Sequence, residues 1–451
     1  MALYGTFKYG DGTKYGESAA TGLLSWAVEI DWDRDYRFDG SNEASRMFYI
    51  SVERGRKRML KSVGQGFETI PPGRCIIKLR NNDGRYDGWN SASPLFPYVT
   101  YGPEVKIRVK DQATGVIKPF FRGVIVDIRP YGYGGDAYVE LEIEDGGRFL
   151  RSYTARFAVS EGQTITTIIG NILTAVNWPY RWGRNIDSST STIPYHWSSG
   201  NKLAWSELED VSNSFLGLFF IAANGNARFI DRNSAPAAVA DLTQAVLLKD
   251  VNNPQPYVNR RNVTRLKIKP LKAAASGVIY SVIGDPLLVS AGTTKYIGAN
   301  YTYNNVPVSA KTVLQPVATD DFLANTNSDG TGTNKTAFCS ILVTDFGDNA
   351  IMAITNNDTV DFYVTMRKIK GIALYEENVS DATYPENTTT VAEPREFVLD
   401  QKWQQSANVA LDYALVLGQF LNTLHPFPSV KIESRPELQF AVDLFDIVGL
   451  D

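Results

Sequence analysis

Between Leu23 and Leu150 apolar residues take alternate positions in six runs: WAVEIDW, RMFYISVERG, RCIIKLR, EVKIRVK, KPFFRGVIVDIRP and YVELEIED. Successive side chains of a strand point to opposite faces, so a period of two buries one face and leaves the other to water. Gly, Pro and Asn-Asp turns part the runs. Helical periodicity is nearly absent, and the region predicts a β-barrel or sandwich. The join between the third and fourth runs has its own character. NNDGRYDG supplies residues that tolerate positive φ, and the prolines of SASPLFPY predict an extended segment before EVKIRV resumes the alternation.

The period changes at Ser160. SEGQTITTIIGNILTAV offers Ser160 as an N-cap, Gln163 as its capping-box partner, and Ile165, Ile168, Ile169, Ile172 and Leu173 on one face. A second helix is expected from about Ala204 to Ala223, followed by the turn NGNA and the strand RFIDR. Residues 151–250 therefore read as a small α/β domain. Strand patterns return in VNRRNVTRLKIK and continue to about residue 400, giving a second β-rich domain over 251–400. The polar, Gly- and Asn-rich stretch from Val317 to Thr336 and the segment ENVSDATYPENTTTVAEP read as long loops. A helix from about Ser406 to Leu424, stopped by HPFP, leads to closing strands over 401–451. At the other end, residues 1–22 repeat Tyr-Gly at Tyr4, Tyr9 and Tyr15; they predict an arm that orders against a neighbouring subunit.

The chain has 45 basic and 49 acidic residues and no dense basic run, which argues against sequence-specific nucleic-acid binding. Arg54, Arg56, Lys57 and Arg58 read as a solvated strand face. Two cysteines, Cys75 and Cys339, are too few for a disulfide framework and sit among apolar neighbours. The N-terminus lacks a basic region followed by an apolar run, and no apolar stretch is long enough to span a bilayer. Assembly in a cytoplasm is expected.

Catalytic signatures are missing. His196 and His425 are the only histidines, and neither G-x-S-x-G nor H-E-x-x-H occurs. Asp145 and the pair Asp320–Asp321 are the least implausible carboxylates for hydrolysis, yet no motif surrounds them. Asp31, Asp33, Asp35 and Asp39 superficially resemble a calcium loop, but Tyr36 and Asn42 stand where the helix–loop–helix pattern needs Gly and Glu. No catalytic, metal or ligand-binding residue is assigned, no cofactor is expected, and the chain is expected not to be an enzyme. Trp178, Tyr180 and Trp182 could instead form a stacking platform for a glycan.

The segment from Cys75 to Val109 resembles one near the front of tail proteins of long-tailed bacteriophages: a strand, an N-D-G-R-[FY] turn, an S-P-L/Y-[FY]-P run and a second strand. SVERGRKR, from Ser51 to Arg58, resembles the strand that precedes it there, and Asn259, Val263, Asp446 and Val448 match later positions. The resemblance implies a tail hub or baseplate hub protein. Its fold would be mainly β with α+β: two tail-tube-like β-barrel domains joined by the small α/β domain and a C-terminal helix-strand unit. It implies a homo-trimer at the virion tail tip that adapts a sixfold tail tube to a threefold tip and gates DNA passage. Implied partners are tail-tube or distal-tail rings, tail fibre or tip proteins and the tape measure protein, with genomic DNA passing unread through an acidic lumen. A lysozyme-like or fibre-like extension is not expected beyond Asp451. A distal-tail ring protein, a glycan-binding tail adhesin and a tail-associated hydrolase remain open.

Overall fold

The structure, a computed structural model, describes residues 6–8, 24–38, 42–55, 67, 70–111, 115–132, 134–234, 240–242, 248–252, 261–388, 391, 393–422, 429–432 and 448–450. The chain is mainly β with an α+β part, as its sequence pattern predicts.

The first seven strands are β1 (Thr6–Lys8), β2 (Leu24–Asp31), β3 (Met47–Glu53), β4 (Arg74–Arg80), β5 (Glu104–Asp111), β6 (Ile117–Tyr131) and β7 (Tyr138–Glu144). They form one antiparallel sheet in the order β1-β3-β4-β7-β6-β5-β2. The alternation does what the sequence demanded: Val28 and Ile30, Ile50 and Val52, Ile77 and Leu79, Val105 and Ile107, Leu141 and Ile143 meet in a single core. The sheet curls around this core as a half-barrel with β1 and β2 as its edges, and Asn42 ties β2 to the turn before β3. Its Oδ1 accepts from Val28 N of β2 (2.8 Å) and its Nδ2 donates to Trp26 O (3.4 Å), just ahead of the turn that enters β3. The outer face carries cross-strand ion pairs, among them Arg74–Glu142 (2.7 Å) and Lys78–Glu140 (3.1 Å). Of the expected arm, Thr6–Lys8 pairs with β3 of the same chain, Thr6 opposite Glu53; its remaining residues lie outside the described ones.

In the α/β part, both helices are shorter than their patterns predict. The first spans Ile165–Ala175, with Thr164 rather than Ser160 as its N-cap. Residues 160–164 belong to the strand Arg156–Thr164, because pairing with Thr192–Ser199 supplies their backbone partners; Ser160 Oγ donates to His196 O (3.1 Å). The second helix ends at Ser214, and Leu218–Ile221 is a strand. Leu216 takes a φ of 57°, and at Gly217 a Cβ would run into the Phe229 ring, so the chain turns there.

The C-terminal helix, Ala407–Asn422, does not pack as a separate unit. Tyr413, Ala414, Leu417 and Leu421 share one core with the isoleucines of the first helix, with Trp205 and with Phe229. Strands Val263–Ile268, Ser380–Tyr384 and Glu396–Leu399 form a sheet over the same core. Between them the chain makes an excursion. It leaves through Leu271–Val289 and returns through Phe362–Glu376, with Leu271 paired to Glu376 and Lys272 bonded to Glu377 (2.8 Å). Residues 271–376 hold their own core, built around Ile279, Phe322, Met352, Phe362 and Ile369. The β-rich region expected over 251–400 thus divides between two cores. Both expected loops also hold strands: Phe322–Asn325 buries Phe322 and Ala324, and Ser380–Tyr384 buries Ala382.

The barrel and the α/β part meet at Asp145-Gly146-Gly147. A Cβ on Gly146 would fall under 3.0 Å from the rings of Trp178 and Trp182, which stand edge-on to each other (5.5 Å between centroids). Gly146→Ala is therefore expected to destabilise the chain by about 1–3 kcal/mol, the usual cost of overpacking. Urea unfolding of the full-length variant checks this; an unchanged midpoint would mean that the two rings yield freely.

Candidate functional site

Residues 81–103 join β4 to β5 without a strand, yet the loop is tightly built. Backbone bonds recur every three residues: Gly84 N to Asn81 O (3.0 Å), Asp87 N to Gly84 O (3.2 Å), Asn90 N to Asp87 O (3.1 Å), Ser93 N to Asn90 O (2.9 Å) and Phe96 N to Ser93 O (3.1 Å). Side-chain oxygens brace the same steps. Asp87 accepts from Trp89 N (3.0 Å), Asn90 from Ala92 N (3.1 Å) and Ser93 from Leu95 N (3.1 Å). The extended run expected over SASPLFPY is corrected here: Pro94 occupies the second position of a turn, where its fixed φ fits, and the coil continues. The signal in the sequence was Asn81, Asp87, Asn90 and Ser93 at multiples of three, a period that fits neither helix nor strand.

A buried carboxylate anchors the loop. Glu43 receives the Tyr86 hydroxyl on one oxygen and Arg85 on the other (2.9 Å), while Arg46 grips Asp83 with two nitrogens (2.9 and 2.7 Å). With Tyr86 fixed inside, the loop leaves Trp89 94% exposed, and Phe96, Tyr98 and Tyr101 are exposed as well. Aromatic side chains held out on a braced backbone lose little entropy on docking, and exposed apolar patches of this kind mark interaction surfaces.

Beneath the loop lies the seam between barrel and α/β part. Glu104, the first residue of β5, is buried. Its Oε1 accepts from Arg181 Nε (2.6 Å) and Trp182 Nε1 (2.9 Å), and its Oε2 from Arg122 (3.0 Å). Burial alone would raise its pKa; the bonds from Trp182, Arg181 and Arg122 outweigh that and hold the carboxyl below its ordinary range. Arg54 donates to Ile221 O (2.6 Å), and buried Glu209 accepts from Ile70 N (2.9 Å) across the same junction.

The other residues singled out by sequence fall as follows. Asp145 is enclosed, its oxygens accepting from Gly73 N (2.7 Å) and Gly147 N (2.8 Å); burial pushes it up to about 7, and it shapes the junction rather than facing a cleft. Asp321 is buried and pairs with Lys370 (2.7 Å), while Asp320 is exposed. Trp178 and Trp182 are core residues and only Tyr180 is exposed, so the three do not form a platform. Asp31, Asp33 and Asp35 come together. Both cysteines are buried, and burial raises both thiols, Cys339 to about 12. His425, Asp39, Arg56, Lys57 and Arg58 lie outside the described residues. Among the described residues, no helix is long and apolar enough to cross a membrane.

His196 is fully buried between Phe157 (5.4 Å between centroids) and Trp403 (4.2 Å), and neither ring nitrogen has a hydrogen-bond partner. Burial, with Lys402 adding to it, lowers its pKa from 6.5 to about 3.

Two predictions follow from these environments. Glu104→Ala strands two arginines at a buried site and should cost about 3–5 kcal/mol in chemical unfolding. For His196, the unfolded chain takes up a proton below pH 6.5 while the folded chain stays neutral until about pH 3. Its contribution is complete above pH 6.5 and is lost as acidity rises through that window. Between about pH 7.5 and about pH 5 the stability of wild type relative to His196→Leu should fall by roughly 2 kcal/mol.

No protein-family model matches the chain, and no curated protein does. Solved structures do. A tail protein from Neisseria meningitidis MC58 is 13% identical, with 53% of this chain and 63% of that one covered, at a TM-score of 0.37. The 43 kDa tail protein of prophage MuSo2 from Shewanella oneidensis is 12% identical, with 54% and 66% covered, at 0.34. An E. coli component of the type VI secretion system, described as structurally similar to the T4 tail proteins gp27 and gp5, is 11% identical, with 66% and 70% covered, at 0.28. The matched part is under two thirds of the length of the first two. The chain is similar to tail proteins of phages and to a type VI secretion component, at TM-scores too low to add to what its own strands and cores establish.

Proposed function

We propose that this chain is a structural protein of a phage tail tip, acting as a trimeric hub that joins a sixfold tail tube to a threefold tip and gates DNA passage. The observation that carries the reading is the braced loop 81–103. It bears the sequence by which the chain resembles tail hub proteins, and it leaves Trp89, Phe96, Tyr98 and Tyr101 exposed on a braced backbone, which suits docking. The C-terminal helix adds exposed Leu411 and Leu415, one turn apart on one side, and exposed Val416 next to them. Both surfaces suit burial against copies of the chain or adjoining rings: the tail tube, distal-tail, fibre, tip and tape measure proteins. The role needs no bond-making chemistry, and DNA would pass without being read.

Native mass spectrometry across concentrations, followed by averaged electron micrographs, tests this. A trimer with a central opening is expected. The double variant Trp89→Ala, Tyr101→Ala should weaken self-association at least about tenfold, as loss of interface anchors does, with an unchanged unfolding midpoint. A hexamer would favour a distal-tail ring, and a monomer that binds host polysaccharide an adhesin; either overturns the hub.

A further inference from the structure

The end of β2 and the residues after it bring Asp31, Asp33 and Asp35 together, with one carboxylate oxygen from each lying within 4.8 Å of the others. Two oxygens sharing one ion can stand no further apart than twice the ion–oxygen distance, about 4.8 Å for calcium and nearer about 4.1 Å for magnesium. Carboxylate oxygens gathered within this reach can share one hard divalent ion.

A second observation is independent of that clustering. Asp31 is only 2% exposed, and its Oδ1 has no hydrogen-bond partner, whereas Oδ2 accepts from Tyr36 N (3.1 Å). A buried, unpaired carboxylate oxygen is costly, and a bound cation removes the cost.

The loop's own cations do not neutralise the group. Arg34 turns to Thr100 and to Tyr101 O, and Arg37 reaches Asp35 only at 3.9 Å from an exposed position. We propose that Asp31, Asp33 and Asp35 form a site for a hard, oxygen-preferring divalent cation such as calcium. Asp31 would be the inner ligand, Asp33 and Asp35 would be exposed arms, and water would complete the shell of about six to eight oxygens. The position gives the ion a structural effect. Tyr36 lies in the same loop, its ring stacks under Arg181 (3.8 Å), and Arg181 is one of the two arginines on Glu104. Fixing residues 31–36 would hold that arginine, and with it the barrel–α/β seam.

Trp32 lies between the first two ligands and is itself buried, so it can sensitise a bound lanthanide. The full-length protein is titrated with terbium under tryptophan excitation, followed by competition with calcium and with magnesium. Expected is one saturable site per chain, displaced by calcium and by magnesium. In Asp33→Asn, Asp35→Asn, which changes exposed residues only, the emission should be lost and calcium should no longer raise the melting temperature. No sensitised emission from wild type, or emission unchanged in the double variant, overturns the site.

Discussion

One buried carboxylate holds the front of this molecule together. Glu104 begins a barrel strand, yet its partners Arg181 and Trp182 come from the α/β part, and Arg122 from the next barrel strand. An isolated carboxylate at this depth would be expelled or neutralised; three charge-assisted or indole bonds keep it ionised and in place. Arg122 also donates to Arg181 O (2.9 Å) and lies over the Trp182 ring (5.6 Å). The seam is thus over-determined, and the barrel has a fixed orientation from which its loops can be aimed.

The loop 81–103 depends on that fixity. Its backbone makes local three-residue turns, which alone set shape but not direction. Direction comes from Tyr86 and Arg85 meeting buried Glu43 and from Asp83 meeting Arg46. The exposed aromatics are therefore held by these polar contacts together with Tyr86, Leu95 and Val99, which pack on the barrel core. A surface assembled this way loses little freedom on docking, which favours a permanent assembly protein over a chain that folds onto its partner.

The excursion over 271–376 is organised differently. Its two long strands enter and leave side by side, and its core shares no residue with the other two. It also touches the part that carries it: Lys311 pairs with Glu161 (2.9 Å), and Gly347 lies against Trp197 of the α/β core.

The sequence by itself determined the strands between Leu23 and Leu150, because period-two alternation buries one face whatever the partner, and it set the residues of the barrel core. It also marked the turn chemistry of NNDGRYDG. It did not determine where Ser160 would go: its capping signal was local, and pairing with residues 192–199 outbid it. Nor could it show that the C-terminal helix joins the α/β core, that Val263–Ile268 and residues 271–376 belong to different cores, or that Trp178 and Trp182 are buried. Those outcomes depend on contacts between residues far apart in the chain, and hydrophobic burial is non-directional. An apolar pattern states that a face must be covered; only the assembled fold decides what covers it.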